Sequence, residues 1–409
     1  MSRSIALVSL GCAKNAADLE VMAGNLVKKG YSLSPDPGCA DIVIVNTCAF
    51  LKAAREEAEA EIRRAVEMKK AGRYSKVVVA GCYPQRYPDA ASRFPGVDEW
   101  LGVPGKWVEP KMPDLRFTGK AYAYLKIAEG CSHRCAYCAI PSIRGPYRSR
   151  PTASIMREAR SLLATGCREL NIVAQDPMPW RDGKKGLVDL LRALDAIEGD
   201  FWIRVLYSYP SEISDEYLEW LATSSHAVRY ADVPIQHTVP EVLRRMNRGA
   251  AIPATLAVAE RLRAAVGGIA LRTTVLTGFP GETEARFERL LADLKRMRFD
   301  HLGAFAYSPE KGTAGFSMAG RPSKAVAERR LERVMAVQRR IWGGIAKSMV
   351  GRVYRALVVA PGVARLESQA PDVDGVVHVD GGDVGEFVEV RIVARRGFDF
   401  EGEVLDGRS

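Results

Sequence analysis

No apolar run in this 409-residue sequence approaches the ~20 residues that a helix needs to span a bilayer. Met1–Gly11 carries a short apolar stretch, SIALVSL, but lacks the layout of a secretory signal. A cytoplasmic protein with no membrane partner is therefore expected. There is no internal repeat and no low-complexity tract, which excludes a repeat architecture. The composition is ordinary for a globular protein, 47% hydrophobic and 26% charged, and the length suits roughly two to four domains. The most informative shortage is local. The stretch EGCSHRCAYCAIP, from Glu129, places Cys131, Cys135 and Cys138 within eight residues and offers no fourth cysteine, whereas most structural metal sites built from cysteine use four.

What is present alternates strand and helix signals. Up to about Pro113, the apolar runs SIALVSL, DIVIVN and KVVVA are separated by amphipathic segments, Asn15–Lys29 and Ala49–Ala71. Continuous β-branched strands between helices predict an α/β domain, residues 1–113, with a parallel sheet covered on both faces. A turn-rich linker, MPDLRFTGK, follows. Six further strand candidates then alternate with helices such as Met156–Ala164 and Leu187–Ile197: AYAYLKIAEGC, ELNIVAQD, WIRVLYSYP, YADVPIQH, ALRTTVLTGFPG and HLGAFAYSPE. They predict a partial (β/α) barrel over 118–322, whose chemistry belongs on the loops after the strands. Residues 323–349 read as a helical connector with solvated arginines, and 350–409 as a small all-β barrel.

Eight cysteines in a long cytosolic chain point to metal or catalysis rather than disulfides. Cys12, Cys48 and Cys82 end the strings VSLGC, IVNTC and VVAGC, separated by 36 and 34 residues. Each lies just past a predicted strand, and in a parallel sheet those ends share the edge where ligands bind. One such cysteine reads as core packing; three in corresponding places favour a site. Cys39 and Cys167 lack such placement and read as structural.

For Cys131, Cys135 and Cys138 two readings stand. A zinc site borrowing His133 is one. The other is a [4Fe–4S] cluster with three protein-held irons and a fourth left open. The second spacing resembles the radical S-adenosylmethionine (SAM) superfamily, in which SAM chelates the open iron and is cleaved to a 5′-deoxyadenosyl radical. That resemblance implies a SAM site including Tyr137, Gln175, Gly278, Gly281 and Glu282, the last three within TGFPGET. Asp176, Gln236 and His237 also end predicted strands and are candidates for contact with SAM or substrate.

An α/β domain with three strand-end cysteines, a radical SAM barrel and a β module resembles, over essentially the whole chain, the methylthiotransferase family, whose β module is called TRAM. The resemblance implies that Cys12, Cys48 and Cys82 hold a second [4Fe–4S] cluster, and that SAM serves both as methyl donor and as radical source. One branch of the family modifies a tRNA adenosine; the other modifies the β-carbon of an aspartate in ribosomal protein S12. SLGCAKN (with Ala13 where that branch has proline), VAQD, PIQH, YSPEKGT and APDVDG resemble the S12 branch. PMPW at 177–180 departs from it. The implied partners are S12, free or in the small subunit, and a reductant such as flavodoxin or ferredoxin, with tRNA as the competing substrate. A non-catalytic iron–sulfur protein that binds RNA is the alternative from another class.

Charge bears on the substrate. The chain carries 59 Lys and Arg against 49 Asp and Glu, a net +10. Residues 351–409 contain seven Arg and no Lys against eleven acidic residues, a formal −4. RNA binding depends on basic side chains, so an acidic module suits a basic protein better by charge complementarity, unless Arg391, Arg395 and Arg396 form a local patch. Removal of 351–409 is expected to weaken substrate binding and leave SAM cleavage intact.

Overall fold

The computed structural model describes residues 3–103, 119 and 121–405. The linker expected at Met112–Lys120 lies outside them apart from Gly119, as do the expected boundaries at 113 and 118 and residues 406–409.

The N-terminal unit is a five-stranded sheet in the order Ser32–Leu33, Ser4–Ser9, Ile42–Thr47, Lys76–Gly81, Glu99–Leu101. Every neighbouring pair is parallel. The central strand Ile42–Thr47 is buried along its whole length, as a strand covered on both faces should be. Helices Ala13–Lys28 and Lys52–Lys70 connect the strands. Strands Ser32–Leu33 and Glu99–Leu101 were not expected; two- and three-residue edge strands leave no periodicity to read.

The central unit has six parallel strands in two groups of three. One is ordered Trp202–Val205, Glu169–Val173, Tyr122–Lys126; the other Tyr230–Asp232, Ala270–Thr277, His301–Ala306. A lone parallel bridge, Ile203 to Ala227, joins them. The partial barrel is thus split, and its largest apolar core lies between strands and outer helices.

Helix Lys324–Met349 begins at a Ser323 cap, whose Oγ accepts the Val326 N–H at 3.3 Å. Its arginines are not all solvated, contrary to expectation. Arg330 is buried, and its guanidinium donates to Glu282 Oε1 and Glu284 Oε2, each at 2.8 Å. A guanidinium with two carboxylate partners tolerates burial. Trp342 on this helix enters the core of the C-terminal closed barrel, Val353–Ala360, Val363–Leu366, Val377–His378, Asp399–Val404, Phe387–Arg396.

The β module closes the floor of the central barrel. Arg365 pairs with Glu169, the first residue of its strand. Asp372 accepts the hydroxyls of Tyr122 and Tyr124 at 3.0 and 2.6 Å. The Asp374 carboxylate is buried, pairs with Arg272 and accepts the Tyr230 hydroxyl at 2.7 Å. Through Asp372 and Asp374 the APDVDG segment is tied to the barrel, while Asp372 and Val373 remain exposed.

Candidate active site

The parallel register delivers Cys12, Cys48 and Cys82 to one edge. Gly11 precedes the first at φ +103, and a Cβ there would stand 2.8 Å from the Cys48 Cβ. Gly130, before Cys131, has φ +77, and its Cβ would fall 2.2 Å from the Pro146 carbonyl oxygen. Only glycine fits either turn. Asn15, fully buried, ties the edge together: its Nδ2 donates to the carbonyls of Leu10 and Thr47 at 3.1 and 3.0 Å, and its Oδ1 accepts from Arg144 at 2.5 Å.

All six of these cysteines line a single cavity of about 550 Å³. Tyr137, Gln175, Asp176 and Gln236 also line it. Gln236 adopts φ +66, a left-handed conformation uncommon for a side-chain-bearing residue. Gly278, Gly281 and Glu282 do not reach the lining. A Cβ on Gly278 would meet Ala327 at 2.3 Å, and one on Gly281 would meet Arg245 at 2.6 Å. Glu282 is buried against Arg330, with His237 Nε2 at 3.4 Å. His237 is likewise buried away from the cavity, its Nδ1 accepting the Val239 N–H at 3.0 Å. Cys167 is core, as expected, whereas Cys39 is exposed at a turn and donates to Asp36.

The thiols differ in environment. Burial pushes Cys131 and Cys82 up to about 11 and Cys138 up to about 12. Burial also opposes ionisation of Cys12, but Lys14, Arg144 and backbone N–H donors outweigh it, and its pKa falls below the ordinary thiol value. Cys12 is exposed and lines the cavity.

Sequence reasoning missed the charged frame between the two cysteine trios. Arg144, buried, donates to Glu129 at 2.9 Å, to Asp18 at 3.0 Å and to Cys82 Sγ at 3.4 Å. Burial raises the pKa of Glu129, but Lys126 and Arg144 outweigh that and hold it at about 2. Arg248 lies over the Tyr209 ring at 4.2 Å and donates to the Tyr137 hydroxyl at 3.2 Å. Neither arginine has a one-dimensional signal, because their partners lie up to 129 positions away.

The residues fit iron–sulfur clusters better than zinc. Among the described residues no group of three or more His, Cys, Asp or Glu side chains is arranged to hold one metal ion. A single zinc demands thiolates converging at about 2.3 Å on one point, whereas the irons of a cubane each take one cysteine. His133 is engaged elsewhere: its Nε2 lies 2.7 Å from Asp176 Oδ2, and its ring stacks on Tyr209 at 3.9 Å. Two lining residues keep buried polar atoms without partners, Gln175 Oε1 and Arg248 Nε. They provide an acceptor and a donor for a polar ligand.

Comparison with known proteins bears on the same surfaces. The radical SAM superfamily matches residues 125–294, the uncharacterized protein family UPF0004 matches 4–102, and the TRAM domain matches 350–405. A ribosomal protein uS12 methylthiotransferase RimO from Syntrophus aciditrophicus is 41% identical, covering 98% of this chain and 98% of its own. Its counterpart from Moorella thermoacetica is also 41% identical, covering 98% and 99%. Among solved structures, the radical SAM methyltransferase TsrM from Kitasatospora setae, with cobalamin and a [4Fe–4S] cluster bound, matches at TM-score 0.54 and 19% identity over 75% of each chain. At that identity the likeness concerns the fold.

Proposed function

Since this chain belongs to the ribosomal protein uS12 methylthiotransferases, we propose that it transfers a methylthio group to the β-carbon of an aspartate in uS12. It is a radical SAM enzyme, and its cofactors are SAM and [4Fe–4S] clusters. When bound, these groups supply the methyl group, an iron able to carry sulfur, and the one-electron chemistry needed to break an unactivated C–H bond.

The chain's own residues divide the work. Cys131, Cys135 and Cys138 hold one cluster and leave one iron for SAM. Cys12, Cys48 and Cys82 hold the other. Gln175 and Arg248 take polar groups of SAM, and Tyr137 packs beside it. Phe50, Leu51, Ile140 and Ile143 line the cavity and exclude water from reactive species. The observation that carries this reading is the convergence of both trios on one cavity, where the clusters they would hold could serve one substrate carbon.

Reducing electrons come from a small donor such as flavodoxin or ferredoxin, and the compartment is the cytoplasm. The test is mass spectrometry of uS12 and of tRNA nucleosides after incubation with reconstituted enzyme, SAM and reductant. A 46-dalton gain on uS12, about the mass of one added CH2S unit, supports the reading; a gain on tRNA adenosine alone overturns it.

A further inference from the structure

Lys14 stands out among the cations that line the cavity. Arg144 is balanced by Asp18 and Glu129, and His133 faces Asp176. Arg248 sits with Tyr137 and Tyr209 on the side of Cys135. Lys14 alone comes from the N-terminal unit, two residues after Cys12. Among the described residues its ammonium has no ion pair and no hydrogen bond, only the face of the Tyr207 ring 3.6 Å from Nζ.

Its own helix does not favour the placement. Lys14 occupies the first turn of the helix Ala13–Lys28, which contains no acidic residue there, so a cation faces the positive end of the helix dipole. Burial opposes its charge, but Tyr207, Cys12 and Asp232 together outweigh that, so it stays charged with no carboxylate paired to it among the described residues. Tyr207, which supports it, is itself held at φ +70, with its N–H donated to Asp232 Oδ2 at 3.1 Å. A charged ammonium without an ion-pair partner, lining a cavity shared by both cysteine trios, is arranged for an anion that arrives.

We propose that Lys14, resting on the Tyr207 ring, binds the side-chain carboxylate of the substrate aspartate and so presents its β-carbon between the two cysteine trios. This rests on the reading of uS12 aspartate as acceptor. A carboxylate on Lys14 fixes the carbon next to it and leaves the β-hydrogens pointing across the cavity. The requirement also separates an aspartate from an uncharged base or amide at the same place.

The test uses reconstituted full-length enzyme and two ligands, uS12 and uS12 carrying Asn at the acceptor aspartate, with dissociation constants measured by titration. Wild-type enzyme is expected to prefer the aspartate protein by about ten-fold, the scale of one charge-assisted hydrogen bond. Lys14→Met is expected to abolish that preference, weakening binding of uS12 and leaving the Asn protein within about two-fold, while Lys14→Arg restores part of it. Equal weakening for both ligands, or iron lost from the Lys14→Met variant, would overturn the inference, because the ammonium would then serve fold or thiolates. If wild-type enzyme leaves uS12 unmodified, the reading beneath fails, and the inference with it.

Discussion

Arg144 Nη2 donates to Cys82 Sγ at 3.4 Å, a contact that runs from the loop of one cysteine trio to a member of the other. Arg144 closes the short helix Ile140–Arg144, which starts two residues after Cys138. Its other partners, Asn15, Asp18 and Glu129, are split between the same two units. One guanidinium thus ties the two cysteine-bearing units together.

Replacing Arg144 by Gln removes a charge from between Asp18 and Glu129. Breaking a buried ion pair by deleting one partner costs about 3–5 kcal/mol. Denaturant unfolding of Arg144→Gln should show a loss of that order. Reconstituted enzyme should also hold less iron, since Cys82 loses its donor. Unchanged stability and iron would mean that Asn15 alone positions the edge.

The two trios should separate by chemistry. Replacing Cys131, Cys135 and Cys138 by Ala is expected to abolish SAM cleavage, read as 5′-deoxyadenosine. Replacing Cys12, Cys48 and Cys82 should leave cleavage measurable, end methylthio transfer and lower iron by about four per chain, one cubane. Substantial 5′-deoxyadenosine from the first variant would remove the basis for the assignment.

Asp232 supplies a pH signature. Burial pushes it up from 3.8 to about 6, against the opposing effects of Arg272 and the Tyr207 N–H. A carboxyl whose folded pKa is raised binds more protons folded than unfolded, so its contribution to stability falls as pH rises from about 4 to 6 and is constant above. The total is on the order of 3 kcal/mol at 1.36 kcal/mol per pH unit. Asp232→Asn should flatten the dependence of unfolding free energy on pH in that window. An identical profile for variant and wild type would show that Asp232 ionises freely.

Asp374 makes the β module part of the barrel. Its loss would leave Arg272 without its close carboxylate partner, at a cost of about 3–5 kcal/mol. Asp374→Ala should therefore lower thermal stability more than Asp383→Ala, on an exposed residue of the same module. Removal of residues 351–409 should uncover Glu169, Arg204 and Tyr230 and destabilise the barrel, so loss of SAM cleavage is now the expected result. A truncated enzyme that cleaves SAM at wild-type rate would show that the floor contacts are dispensable.

That last expectation reverses the one drawn from composition. The formal −4 of residues 351–409 describes how many charges there are, not where they face. Asp372 and Asp374 are turned to Tyr122, Tyr124 and Arg272. Arg391 is met by Glu403 on the neighbouring strand at 3.2 Å, which weakens the case for a basic patch there.

What the sequence determined by itself was whatever depends on short range or on a repeat. Strand–helix alternation marked the parallel sheets, because burial on both faces demands continuous apolar strands. Cys12, Cys48 and Cys82 were legible as one edge, because parallel strands must align their carboxyl ends. Cys131, Cys135 and Cys138 were legible as a trio, because one loop carries them. Tertiary structure alone decided that both trios share a cavity, that Arg144, Glu129 and Asn15 frame it, that Lys14 faces it, and that Gly278, Gly281 and Glu282 turn away from it. Those outcomes depend on how the units dock. Docking follows from contacts between residues more than a hundred positions apart, such as Arg144 and Asn15, and no local periodicity encodes such contacts.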